Sequence, residues 1–302
     1  MVSEETEKKL YNAQYRIVGN HSAVSVCHWC KQSLREEGHC YKQDFYGIES
    51  HRCLQMTPAL TCNQRCMHCW RDDSVFSEEF EGEVDQPQKI IEGAIEAQRE
   101  LLSGFGAHAP EDKLKEAMNP DQVAISLTGE PTMYPKLPEL ISEFHNRDFT
   151  TFLVTNGSNP KMIERLKERE LPTNLYISIE ATDKESYMEL CRPVSEKSWE
   201  RVQRSLKMLK ELETTTVIRI TSIKGINMHK AEEFAEVIDE AGSEFVEVKG
   251  YMFVGHSRDR LEEKNMPDHA EVEEFAQKIT ENSNYRIEDA KKASNVVLLS
   301  KD

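Results

Sequence analysis

The chain has 302 residues, enough for one large α/β domain or two small ones, and 38% of them are apolar. Its 38 Lys and Arg stand against 54 Asp and Glu, a net charge of -16, so the mean field repels nucleic acid and anionic lipid, and only a local basic face would attract either. No apolar run approaches the roughly 20 residues of a membrane-spanning helix, and the opening MVSEETEKKL lacks the basic and apolar regions of an export signal, so a cytoplasmic protein is expected.

Residues 1–52 differ from the rest. Seven Lys and Arg balance seven Asp and Glu there, and four of the ten histidines fall in the same stretch. Seven of the eight cysteines lie between Cys27 and Cys69. In a reducing compartment such crowding points to metal ligands or catalytic thiols rather than disulfides. The extension has little hydrophobic core of its own, so metal cross-linking is expected to hold it. Cys27-His28-Trp29-Cys30 is also a C-x2-C pair, and a zinc knuckle of Cys27, Cys30, His39 and Cys40 is a rival reading.

A first strand at 53–57 leads into Cys62-Asn63-Gln64-Arg65-Cys66-Met67-His68-Cys69, a C-x3-C-x2-C loop. Three thiolates at this spacing suit an iron-sulfur cluster and leave one iron open to a substrate or cofactor. Zinc would need a fourth ligand, and His68 beside Cys69 would strain the loop to supply it. The acidic stretch 78–85 reads as a solvated loop, and 104–119 as an unpatterned insertion. Further strands are expected at 123–128, 151–155, 175–179, 217–222 and 245–249, with helices at 88–102, 136–144, 160–169, 199–212, 230–239 and 270–280. This alternation predicts βα units with parallel strands, six units being too few for a closed eight-stranded barrel. An open partial barrel and a doubly wound sheet fit the rhythm equally. Both put ligand chemistry at the C-terminal strand ends, where Gly129-Glu130-Pro131-Thr132, Asn156-Gly157 and Glu180 fall. Cys191, remote in sequence from the other thiols, reads as a packed small residue.

The cysteine loop on the first strand, followed by Gly129-Glu130-Pro131 on the second, resembles the radical S-adenosylmethionine superfamily. In that superfamily the open iron of a [4Fe-4S] cluster chelates the methionine moiety, and the reduced cluster cleaves the sulfonium to a 5′-deoxyadenosyl radical. Members commonly carry an aromatic residue before the third cysteine; His68 departs from this, with Trp70 on the other side. The even spacing of Cys27, Cys40 and Cys53, with 12 residues in each interval, and the run His51-Arg52-Cys53-Leu54-Gln55-Met56-Thr57-Pro58 resemble the 4-demethylwyosine synthase family of tRNA modification. The likeness runs from about Tyr15 through Gly255 and includes Cys69-Trp70-Arg71, Thr155-Asn156-Gly157, Ser178-Ile179-Glu180-Ala181 and Lys249-Gly250-Tyr251.

The resemblance implies an open partial (βα)6 TIM-like barrel over 53–282, an extension at 1–52 holding an auxiliary cluster, and a segment at 283–302 packed on the barrel. It implies two [4Fe-4S] clusters, on Cys62, Cys66 and Cys69 and on Cys27, Cys40 and Cys53, with Cys30 a buried neighbour. The implied reaction joins pyruvate to N1-methylguanosine, 3′ of the anticodon in tRNA-Phe, to give a tricyclic base; the alternative is a radical enzyme acting on a peptide or small molecule. Pyruvate is activated either on iron or as a Schiff base with Lys42 or, next, Lys249. Gly129, Glu130, Asn156, Ser178, Glu180 and Arg219 are the expected S-adenosyl-L-methionine contacts. Arg71, Tyr251 and Arg258 are the expected tRNA contacts, Tyr251 having a core role as its alternative. Eukaryotic members carry a flavin domain for which 302 residues leave no room, so an external one-electron reductant is expected to serve a monomer.

Overall fold

A computed structural model describes residues 4–71 and 76–301. The chain forms two compact units. The first contains the described residues up to Cys62, Glu79–Val154 and Glu164–Thr173; the second contains the described part of Asn63–Glu78, Thr155–Ile163 and the chain from Asn174 onward.

In the first unit, helix α1 (Glu4–Asn12) precedes a short hairpin of β1 (Arg16–Val18) and β2 (Ser22–Val24). Two short helices follow, α2 (His28–Leu34) and α3 (Tyr41–Tyr46), then β3 (Cys53–Thr57), α4 (Pro87–Leu102), α5 (Glu111–Ala117), β4 (Gln122–Ile125), α6 (Leu137–His145) and β5 (Thr150–Thr155). Strand β2 pairs antiparallel with β3, whereas β3, β4 and β5 run parallel. All four residues of β4 are buried, as expected where a parallel strand is covered on both faces. Helix α4 starts with proline, whose missing N–H costs nothing there, and buries Ile90, Ile91, Ala94, Ala97 and Leu102 at helical spacing. Gly93 on that helix lets β1 approach, since a Cβ there would stand 2.7 Å from the Val18 side chain.

The extension is better packed than its composition predicts. Val26, Cys30 and Leu34 form an apolar cluster with Leu102 and Ala117, and buried Gln98 ties α4 to α5 by donating to the Ala117 carbonyl at 3.0 Å. The 104–119 insertion therefore holds a helix that closes this core, hidden from the sequence by its mostly polar composition.

Strand β5 and helix α7 (Pro160–Arg169) carry the chain towards the second unit. There β6 (Asn174–Ile179), α8 (Lys184–Cys191), α9 (Ser198–Met208), β7 (Thr215–Ser222), α10 (Ala231–Ala241), β8 (Phe245–Gly250) and α11 (His269–Thr280) lead to a C-terminal hairpin of β9 (Tyr285–Lys291) and β10 (Val296–Lys301). Strands β6, β7 and β8 are parallel, and β10 pairs antiparallel with both β8 and β9. The six expected strands are therefore present in two parallel trios. The two antiparallel hairpins are additions: β1 and β2 are too short to show a period, and β9 is mostly exposed and charged.

Candidate active site

Three of the cysteines of the first unit each begin an element. Cys27 and Cys40 occupy the N-cap positions of α2 and α3 without using their sulfurs as caps, and Cys53 opens β3. The Cys40 turn is fixed by buried Ser50, whose hydroxyl accepts from the Cys40 N–H at 2.8 Å and donates to Gln43 Oε1 at 2.9 Å. Burial, followed by the nearby Cys27 thiol, pushes the Cys53 thiol up to about 12, with the Lys42 ammonium opposing and the Cys40 thiol adding to the rise. The three spaced cysteines and Lys42 thus share one electrostatic neighbourhood. Cys30 is buried next to it, its Sγ donating to the His51 carbonyl at 3.4 Å, while His39 is held by Asp44 at 2.8 Å. Lys42 is only 8% exposed, and its Nζ sits 4.1 Å from the centroid of the Phe152 ring. Tyr46 meets that same ring with 6.0 Å between centroids.

The chain leading to Cys62 is pinned from two sides. Asp85 N–H donates to His21 Nε2 at 3.0 Å, which leaves the proton on Nδ1 to donate to the Pro58 carbonyl at 2.6 Å. The Asp85 carboxylate accepts from the Asn20 backbone at 2.6 Å and from Lys89 at 2.5 Å. The end of the acidic stretch is therefore a buried latch rather than a solvated loop. On the other side Gly129, at φ +69°, leaves no room for a Cβ against the Ala59 carbonyl, and Glu130 N–H donates to the Thr61 carbonyl at 2.8 Å. Glu130 is buried, with Oε1 accepting from the Thr132 amide and hydroxyl.

In the second unit the rest of the cysteine loop is clamped by the C-terminal end of α8: Met67 N–H donates to the Leu190 carbonyl at 2.8 Å and Arg65 N–H to the Cys191 carbonyl at 3.0 Å. Cys191 is buried as expected but not isolated. A hydrogen bond to Cys191 and burial push the Cys66 thiol well above its ordinary value, and Glu180 and Cys69 add to the effect. Burial acts to raise the Glu180 carboxyl, but His68 at 3.4 Å, Thr221 at 3.1 Å and Cys191 at 3.7 Å hold it below the usual carboxylate range. His68 Nδ1 is buried with no hydrogen-bond partner among the described residues.

Strand register explains which expected cofactor contacts share a face. Ser178 pairs with Arg219 and Arg219 with Glu247, and two positions on, Thr221 pairs with Lys249. Arg219 donates Nε and Nη2 to Glu247 Oε2 at 3.0 and 2.8 Å and lies over the Tyr176 ring. Its charge is thus already balanced by a fully buried carboxylate. Glu247 has a sequence signal: in Phe-Val-Glu-Val-Lys it falls on the Lys249 face of the strand. Lys249 Nζ donates to the Ser294 carbonyl at 2.7 Å, tying β8 to the hairpin turn. Asn156 is engaged at both ends of its amide, donating to Asn63 Oδ1 at 2.9 Å and accepting from Ser158.

Of the expected tRNA contacts, Tyr251 is 2% exposed, packs with Ile223 and Leu261, and donates its hydroxyl to Ser257. The structure corrects its assignment as a base-stacking residue: the ring is core. Arg71 and Arg258 lie over the rings of Trp70 and Phe253.

The eight cysteines are all free thiols. Among the described residues no three Cys, His, Asp or Glu side chains are grouped to hold a single metal ion. An iron-sulfur cluster spreads its thiolates over separate irons, so its ligands stand farther apart than those of one ion.

The comparisons with known proteins agree with this chemistry. A family model described as Radical SAM superfamily matches residues 56–238, and one described as Wyosine base formation matches residues 240–301. The tRNA 4-demethylwyosine synthase of Pyrococcus abyssi is 48% identical over 99% of this chain and 89% of its own. The chain belongs to the tRNA 4-demethylwyosine synthase family. The Methanocaldococcus jannaschii synthase is 40% identical over 100% of this chain and 97% of its own. The solved structure of TYW1 with a lysine-pyruvate adduct bound superposes with a TM-score of 0.90 at 39% identity, covering 100% of this chain and 97% of that one. The chain is accordingly a radical S-adenosylmethionine enzyme of tRNA wyosine formation with the α/β fold of that superfamily. The family implies a [4Fe-4S] cluster and S-adenosylmethionine.

Proposed function

We propose that the chain condenses pyruvate with N1-methylguanosine, 3′ of the anticodon in tRNA-Phe, to form tricyclic 4-demethylwyosine, and that Lys42 is the amine that receives pyruvate. The observation that carries this reading is the burial of Lys42 over Phe152 beside the Cys53 thiol. A buried amine next to an apolar ring is poised to attack a ketone once it has lost a proton: the nitrogen bonds to the pyruvate carbonyl carbon and water leaves. In the related TYW1 structure a lysine carries pyruvate, which supports the same chemistry at Lys42. Lys249 is the weaker candidate, because its amine serves the Ser294 carbonyl.

Cys62, Cys66 and Cys69 would hold one cluster and Cys27, Cys40 and Cys53 a second. When bound, the first cluster with S-adenosylmethionine supplies hydrogen-atom abstraction from the N-methyl group, which no protein acid or base achieves. Gly129 and Glu130, by backbone and carboxylate, and Ser178 and Glu180, by their polar groups, are the residues this reading assigns to S-adenosylmethionine. Asn156 and Arg219 are better suited to positioning, given their internal partners. Arg71 and Arg258 would meet the RNA. A monomeric cytoplasmic enzyme served by an external one-electron donor completes the reading, with 1–52 as the auxiliary-cluster extension, 53–282 as the partial barrel and 283–302 packed on it.

Borohydride reduction in the presence of labelled pyruvate tests the central step. Label is expected on the tryptic peptide containing Lys42, absent in Lys42→Ala and retained in Lys249→Ala. A pyruvate-dependent change in the cluster spectrum that survives loss of Lys42, with no trapped peptide, would instead assign pyruvate to iron.

A further inference from the structure

The segment matched by the wyosine model makes a specific junction with the end of the cysteine loop. The Trp70 carbonyl accepts from His256 N–H at 2.9 Å, and Gly255, at φ +58°, presses so closely on that carbonyl that no side chain fits. Arg260 donates to the Met67 carbonyl at 3.2 Å and to that of Cys69. The backbone of Trp70 is therefore held from outside the loop, while the residue is 44% exposed. The Arg71 guanidinium stands 4.5 Å from the Trp70 centroid, and Arg258 stands 5.4 Å from that of Phe253.

An exposed indole is costly to leave in water, and here it is one residue from a cluster-loop cysteine, with a cation on one face and its backbone clamped by 255–260. Each feature suits stacking on a flat, electron-rich ring. Bases of a single-stranded RNA loop present such rings, together with phosphates for the guanidinium groups, whereas stacked duplex bases do not. We infer that Trp70 is the stacking platform for an unpaired base next to the target guanosine, with Arg71 and Arg258 on the adjoining phosphates. This rests on the tRNA reading above and deepens it, because it makes the 255–260 clamp a device for fixing one base-contacting ring relative to the cysteine loop.

The test uses the reconstituted full chain and a synthetic anticodon stem-loop carrying N1-methylguanosine, with 2-aminopurine as the neighbouring loop base. Binding to the native chain should quench the 2-aminopurine. Trp70→Ala should weaken binding about fivefold to hundredfold and abolish the quench, whereas Trp70→Phe should keep the quench with affinity within about threefold. Because the clamp grips the Trp70 backbone, neither variant should lower the melting temperature by more than a degree or two. If the native chain does not prefer the stem-loop to a blunt duplex, the tRNA reading itself fails. If it does, but Trp70→Ala binds with unchanged affinity and quench, the stacking role is overturned. Unchanged RNA binding with slower cluster reduction by a flavodoxin-type donor would overturn it in favour of a protein-docking role.

Discussion

Phe152 and Lys42 make the most specific residue-scale forecast. The ring lies 4.1 Å from the Lys42 nitrogen and fixes where that nitrogen sits, and attack on a ketone depends on such positioning. Phe152→Leu should therefore raise the pyruvate concentration for half-maximal borohydride trapping roughly threefold to tenfold, with Phe152→Tyr close to the native chain. His21 and Asp85 give a pH forecast. Burial above all lowers His21 from its ordinary 6.5, so as pH falls below 6.5 the unfolded chain takes up the proton first and stability is lost. Asp85 lies below its ordinary 3.8: burial pushes it up, but the Asn20 backbone and Lys89 outweigh that, so its contribution is present above 3.8 and disappears as pH falls through the lowered value. Urea midpoints measured across acid pH should show two losses. His21→Gln should remove the upper one and Asp85→Asn the lower. Cysteine spacing was readable at this scale because metal chemistry restricts it. The part Cys191 plays beside Cys66 was not, since that neighbour is remote in sequence, and Glu247, whose side of the strand was readable, gains its role only through Arg219 on the neighbouring strand.

At the scale of elements, the six parallel strands could be read because continuous apolar runs bounded by turn residues have few alternatives. Their register could not, and register is what sets Ser178, Arg219 and Glu247 in one row. The three-residue strands of the first hairpin contain too little pattern to detect, and its position is set instead by the Asp85 latch and the gap at Gly93. Gly129→Ala would need both a left-handed alanine and displacement of the Ala59 carbonyl, at about 2–4 kcal/mol. Such a variant should melt earlier and lose S-adenosylmethionine binding in calorimetry. Asp268 offers a control far from the chemistry in sequence. It caps α11 by accepting from the Glu271 N–H at 3.0 Å within a capping box. Asp268→Ala should cost about 1 kcal/mol in urea denaturation while trapping of pyruvate is unchanged; a loss of trapping would show that α11 has a part in the site.

For the whole molecule, a charge of -16 makes RNA binding a local affair of a few cations against an unfavourable mean field. The salt dependence of stem-loop affinity should accordingly be shallow, with Arg258→Gln lowering its slope by about one. Anaerobic reconstitution should load about eight irons per chain, and simultaneous alanine replacement of Cys62, Cys66 and Cys69 about half of that, as counted by iron and acid-labile sulfide; full retention of iron in that variant would contradict two separate clusters. The measurement closest to the central claim is nucleoside mass spectrometry of N1-methylguanosine tRNA after reaction with S-adenosylmethionine, reductant and pyruvate labelled at every carbon. The account predicts a tricyclic base gaining two labelled carbons, with the carboxylate carbon lost and no product from Lys42→Ala. A tricyclic product without label, or label incorporated at full yield by Lys42→Ala, would contradict it.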